Sequence, residues 1–146
     1  MKIKILNKKE SRALLEKINS QFGSSFETDR IFFLSGDDIY IANREVLEGI
    51  RESWRVNELG LYLGELKGEV VRLSIEGSQL IGPSATKNIF DIEDEKKWIS
   101  GEMMSVDAPN SGFVIIRHEA DFLGCGKIKD GKLLNFVPKT RRISGK

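Results

Sequence analysis

With 146 residues, a net charge of +1, 40% hydrophobic residues and 31% charged residues, the chain has the composition of a globular protein, either one ordinary domain or two small ones. No stretch approaches the roughly 18 unbroken apolar residues of a membrane span. The one cysteine, Cys125, excludes an intrachain disulfide, and with a single histidine, His118, the soft ligands are too few for a structural zinc site. No bound metal or other cofactor is therefore expected.

Residues 1–5 alternate lysine with apolar residues and carry no apolar signal core, so the expected compartment is the cytoplasm. Alternation over residues 2–6 predicts a first strand. Asn7 then reads as a helix N-cap with Glu10 three residues on, and Leu14, Leu15, Ile18 and Phe22 fall at helical spacing before the stop signal Gly23. The β-rich runs 31–34 and 39–42, joined by the turn-forming Ser35-Gly36-Asp37-Asp38, predict a hairpin. Residues 44–50 suit a short helix, and 59–66 with 70–75 predict another strand pair about Lys67-Gly68. The N-terminal part thus reads as α+β.

Gly82-Pro83-Ser84 is the strongest punctuation in the chain and places a domain boundary there, dividing 1–83 from 84–146. Beyond it an acidic, helix-compatible turn over 91–97 leads to Trp98-Ile99-Ser100-Gly101. Three strand-like runs follow, 112–117, 122–128 and 132–137, with Lys129-Asp130-Gly131 as a tight turn. Short strands with turn signals in so few residues predict a small, mostly-β barrel.

Charge is distributed unevenly. From residue 127 to the last, seven basic side chains face one acid, Asp130, whereas residues 84–126 hold four basic and eight acidic ones. A basic block of this kind is the electrostatic footprint of a phosphate-contacting surface, with a merely solvated tail as the competing reading. Lys127, Lys129, Lys132, Lys139, Arg141 and Arg142 are the candidate phosphate contacts, the two arginines favoured for their planar, bidentate donors. Asn135 suits either a base edge or a turn, and Phe136 either an unpaired base or the core. Gly124 and Gly126 allow a strand to bend sharply or another backbone to approach, an RNA backbone or the protein's own.

The run from Gly112 to Ile143 resembles a PUA domain, and most closely the PUA-like tail of the ribosomal-RNA cytosine methyltransferases. That tail carries a Gly-x-Gly-Lys-x-x-x-Gly-x-x-x-Asn stretch leading to a Pro-Lys pair. The counterparts are Gly124, Gly126, Lys127, Gly131, Asn135, Pro138 and Lys139, with Gly101 supplying an early turn glycine. The first 83 residues, with their Gly60-Leu-Tyr-Leu-Gly64 and Arg72-Leu-Ser-Ile-Glu-Gly77 strands, are similar to the pre-PUA half of a two-domain ribosome-biogenesis factor family of archaea and eukaryotes.

The resemblance implies an α+β pre-PUA-like domain followed by a PUA-like barrel that binds structured RNA, ribosomal or transfer. A ribosome-assembly or RNA-modifying protein would be a second partner. No glycine-rich cofactor loop, Pro-Cys nucleophile motif or pseudouridine-synthase aspartate is found, so the expectation is a non-enzyme. Two rivals stand beside it. One is a protein-interaction module docking through the acidic segment 91–95, and the other an enzyme built on Cys125 and His118 with Glu119 or Asp121 as orienter.

Overall fold

The computed structural model describes residues 3–48, 59–108 and 111–143. In chain order these form β1 (Lys4–Ile5), α1 (Lys8–Phe22), β2 (Ile31–Ser35), β3 (Asp38–Ala42), α2 (Arg44–Glu48), β4 (Leu61–Lys67), β5 (Val70–Leu73) and α3 (Ile75–Ile81). After a 3-10 turn at Gly82–Ser84 come β6 (Ile89–Asp91), α4 (Glu95–Ile99), β7 (Met104–Ser105), β8 (Gly112–His118), β9 (Asp121–Lys129) and β10 (Lys132–Asn135). A second 3-10 turn, Lys139–Arg141, follows.

Helix α1 begins as the sequence predicts. The Asn7 side chain accepts from the Glu10 N–H at 2.8 Å while the Glu10 carboxylate accepts from the Asn7 N–H at 3.1 Å, so two orphan donors are satisfied reciprocally. Leu14, Ile18 and Phe22 form its buried stripe, and Gly23 closes it in the left-handed region at φ 58°. Strands β1 to β5 make an antiparallel meander in sequential order. Gln21 ties α1 to β5 as a strand neighbour would: its amide donates to the Val71 carbonyl at 2.9 Å and accepts from the Val71 N–H at 2.8 Å.

The second sheet runs β6-β8-β9-β10-β7, parallel between β6 and β8 and antiparallel elsewhere, as an open half-barrel. One face packs on the fully buried Trp98 of α4 together with Val114, Ile116, Ile128 and Leu133. The indole N–H of Trp98 donates to the Leu123 carbonyl at 2.8 Å, so burying it leaves no donor orphaned. The β9–β10 turn has Asp130 at φ 52° and Gly131 at φ 74°. Both central residues are left-handed, the type I′ geometry that matches strand twist.

The structure departs from the sequence reading at three places. Ser74 and Ile75 do not extend β5. Ser74 caps α3, its hydroxyl accepting from the Gly77 N–H at 2.9 Å, and Ile75 begins that helix. Strands β6 and β7, absent from the sequence reading, complete the second sheet. The strand expected over 132–137 ends at Asn135, and the basic segment after Pro138 is a 3-10 turn. The short helix expected over 44–50 is seen over Arg44–Glu48, its last two positions lying outside the described residues.

The chain passes from one sheet to the other at Gly82–Ser84, where the sequence places its boundary, but the core does not stop there. Ile115 and Cys125 of the second sheet belong to the same cluster as Phe22, Phe32, Leu63 and Ile81. Residues 86–88 hydrogen-bond back to the end of α1, through Thr86 and Lys87 N–H to Phe22 and Asn88 Nδ2 to Gln21.

Helix α3 is the joint. An added Cβ at Gly77 would run into the Leu63 carbonyl of β4, so only glycine lets the helix lie this close to the first sheet. On the other side Ser78, fully buried, accepts from the Gly124 N–H of β9 at 2.8 Å and donates to the Ile75 carbonyl at 2.6 Å. Ser78→Ala orphans the buried Gly124 N–H. It is expected to lower unfolding free energy by about 1–3 kcal/mol, measured by chemical denaturation; a loss under 0.5 kcal/mol would contradict this role.

Candidate RNA interface

Strand register decides which of the candidate basic residues meet. Lys132 lies opposite Lys129, Leu134 opposite Lys127, and Phe113 of β8 opposite Lys127. Since side chains alternate along a strand, Lys127, Lys129 and Lys132 share the sheet face that carries Ile115 and Cys125, not the face packed on Trp98. The first sheet covers Ile115 and Cys125 and leaves Lys129 and Lys132 exposed beyond its edge. Among the described residues, none of these three lysines, nor exposed Lys139, is paired with a carboxylate.

The other candidates are held by the protein itself. Asn135 donates through Nδ2 to the carbonyls of Trp98 at 2.7 Å and Glu102 at 3.0 Å, and its oxygen accepts from the Val137 N–H at 2.8 Å. Its amide is thereby spent on turns, the second of its two readings. Arg141 forms an ion pair with Glu76 of α3 at 2.7 Å. Arg142 donates through Nε to the Val137 carbonyl at 2.9 Å and lies over Gly101, whose left-handed backbone (φ 91°) brings no Cβ into its path. The arginines favoured from sequence for orienting RNA thus also staple the C-terminal turn to the body.

Glycines 124 and 126 are likewise accounted for within the molecule. Gly124 sits at φ 94°, with Ile75 of α3 3.3 Å from where its Cβ would be. A Cβ on Gly126 would meet Leu133 at 2.7 Å and Trp98 at 3.0 Å. The close approaches these glycines allow are to a helix and an indole.

The sequence reading missed a second group of residues. Where β5 faces the second sheet, a cleft opens between Lys67 and Arg72 on one side and Phe113, Lys127, Leu134 and Phe136 on the other. The Arg72 guanidinium lies 4.7 Å from the Phe136 ring centre, Phe136 and Phe113 are 6.0 Å apart and tilted by 49°, and the Lys127 ammonium is 5.3 Å from the Phe113 ring. Glu65 bonds both Arg72 and Lys67 at 3.0 Å, leaving the cleft with an excess of positive charge. A neighbouring depression shares Arg72 and Phe136 and continues to Pro138 and Arg141. The available signal was the alternation Val70-Val71-Arg72-Leu73, which buries Val71 and Leu73 and turns Arg72 outward. What Arg72 would meet there is not written in that pattern.

The acidic segment is used internally. Asp91 makes a bidentate pair with Arg117 (2.6 and 2.9 Å), which holds its carboxyl below the usual range, and Asp94 caps α4. His118 donates from Nδ1 to the Ile92 carbonyl at 3.0 Å and its Nε2 is 3.8 Å from Glu95. That backbone hydrogen bond, with the nearby carboxylates, raises its pKa above the ordinary 6.5. Protonated His118 therefore adds stability that is fully present below pH 6.5 and lost as pH rises through the raised value. Melting temperatures across pH 5.5–8.5 are expected to show this drop in the wild type and not in His118→Asn; parallel curves would contradict it.

Cys125 is buried, and burial pushes its thiol up to about 12 even though the Leu73 N–H donates to its sulfur at 3.3 Å. A nucleophile or metal ligand needs the thiolate, which burial at this site disfavours. Alkylation should leave Cys125 unmodified in the native protein and label it fully after denaturation. Labelling at a free-thiol rate in the folded state would overturn this.

Residues 87–143 match the family described as the methyltransferase RsmF PUA domain. They form a PUA-like domain resembling the tails of ribosomal-RNA methyltransferases. The chain is similar to ribosomal RNA small subunit methyltransferase F of Vibrio vulnificus, with 22% identity over 91% of this chain, and of Aeromonas hydrophila, with 26% over 90%. In both cases the match covers 28% of the relative, so the chain spans little more than a quarter of the length of these enzymes.

Proposed function

We propose that this chain binds structured RNA, ribosomal or transfer, without catalysing a reaction on it, as a cytoplasmic component of RNA modification or ribosome biogenesis. The observation that carries the reading is that Lys127, Lys129 and Lys132 share one sheet face, unpaired with a carboxylate among the described residues, inside a domain resembling the family found in an rRNA methyltransferase. Each lysine that meets a phosphate releases condensed counterions, which gives affinity that falls with salt. In this reading residues 1–83 act as a pre-PUA-like body that supports the RNA-contacting sheet. A separate methyltransferase or assembly protein is the natural protein partner. The burial of Cys125 supports the non-catalytic part of the proposal.

The test is binding of ribosomal-RNA fragments and transfer RNA at several salt concentrations by wild type and by Lys127→Gln/Lys129→Gln/Lys132→Gln. The triple variant is expected to bind more than tenfold more weakly at low salt. Its slope of log affinity against log salt should be shallower by about 0.7–0.9 per lost contact. Unchanged affinity and slope would transfer the lead to the protein-interaction reading. Arg141 and Arg142 serve this test less well, because replacing them also breaks the Glu76 pair and the Val137 hydrogen bond.

A further inference from the structure

We propose that the cleft between the two sheets is a binding site for an unpaired nucleotide of the RNA, its base stacked on Phe113, Phe136 and Arg72 and its phosphate held by Lys127 and Lys67. The inference rests on the RNA-binding reading and adds a site to it, because two of these residues, Lys67 and Arg72, lie outside the segment that matches the family.

Three observations converge. First, two aromatic rings that the core does not enclose stand together at the cleft: Phe113 and Phe136 are both half-buried and lie 6.0 Å apart. Unpaired bases stack on such rings and on arginine planes, and the interaction tolerates any base because every base has a π-face. Second, the guanidinium of Arg72 already lies over this group, 4.7 Å from the Phe136 centre and braced by Glu65 at 3.0 Å. A planar donor held in place before binding loses little freedom when a base arrives.

Third, charge and size suit a nucleotide. Lys67, Arg72 and Lys127 line the cleft, the single carboxylate of Glu65 pairs with the first two, and the cleft holds about 540 Å³. That volume falls within the roughly 300–1,000 Å³ of small-ligand sites. Lys127 at 5.3 Å from Phe113 sits on a flexible stem, so its ammonium can turn from the ring to a phosphate when a base takes the ring face. The cleft adjoins the Lys129–Lys132 face through Lys127 and Leu134, so one strand of RNA can engage both.

The experiment measures binding of an eight-nucleotide single-stranded RNA and of a blunt-ended, fully paired RNA duplex by the full chain and by Phe113→Leu and Phe136→Leu. Leucine keeps apolar volume and removes the π-face, and thermal melting verifies the fold of each variant. Each is expected to weaken single-strand binding by at least about fivefold without changing its salt slope, and to leave duplex binding unaltered. Phe113→Tyr, which restores the ring, is expected to bind like wild type. Unchanged single-strand affinity in the leucine variants, or an equal loss on both RNAs, overturns the cleft site while leaving the RNA reading standing. No binding of either RNA by the wild type overturns both.

Discussion

The structure turns on one buried hydroxyl. Ser78 is fully enclosed, and its oxygen lies between the Gly124 N–H of one sheet and the Ile75 carbonyl of its own helix. An unpaired polar group in that position would carry a desolvation penalty, so the bond fixes the height at which α3 meets β9. Gly77 fixes its approach to β4 by having no side chain there. Between them these two neighbours set the spacing of the sheets. Because β5 runs straight into the Ser74 cap of this helix, they also set where Arg72 stands relative to Phe136.

Much of the architecture was legible where local signals are strong. The capping box at Asn7 and Glu10, the apolar stripe ending at Phe22, the two hairpins and the glycine turn at residue 131 each carry their own geometry in a few residues. What escaped was short or dictated from a distance. Helix α3 has seven residues with a glycine inside, too little to be helical without packing, and its first residues continue the alternation of β5. Strands β6 and β7 hold three and two residues, and they exist because β8 and β10 offer edges to them. The Lys127–Lys132 face was legible as a basic block. The cleft was not, because its walls come from strands more than forty positions apart.

Counting charges along the chain overstated one part of the basic block and overlooked another. Arg141 and Arg142 contribute to the count but have internal partners, one of them a glutamate from the first half of the chain. Lys67 and Arg72 lie in a segment whose net charge gave no reason to notice them, yet the fold brings them beside Lys127. The surface available to an anion is thus drawn from both halves. At the open strand ends it consists of lysines, mobile point charges, and inside the cleft the planar guanidinium of Arg72 joins Lys67 and Lys127.

The glycines and the asparagine of the family motif and the proposed binding surface are consequently different residues, and of the motif only Lys127 and Lys139 are also candidate phosphate contacts. Gly101, Gly124, Gly126 and Asn135, which carry much of the resemblance, are each explained by contacts inside the protein: with Arg142, with Ile75 and Ser78, with Trp98 and Leu133, and with two turn carbonyls. They specify a platform. A motif of this kind transmits a fold, and what the fold recognises is set by the side chains placed on it. Here the residues proposed for that role are lysines on one sheet face and aromatic rings at the seam with a sheet outside the matched segment. On that proposal two chains could share the 87–143 pattern and read different RNAs, because the residues that would distinguish them lie on the lysine face and across the cleft.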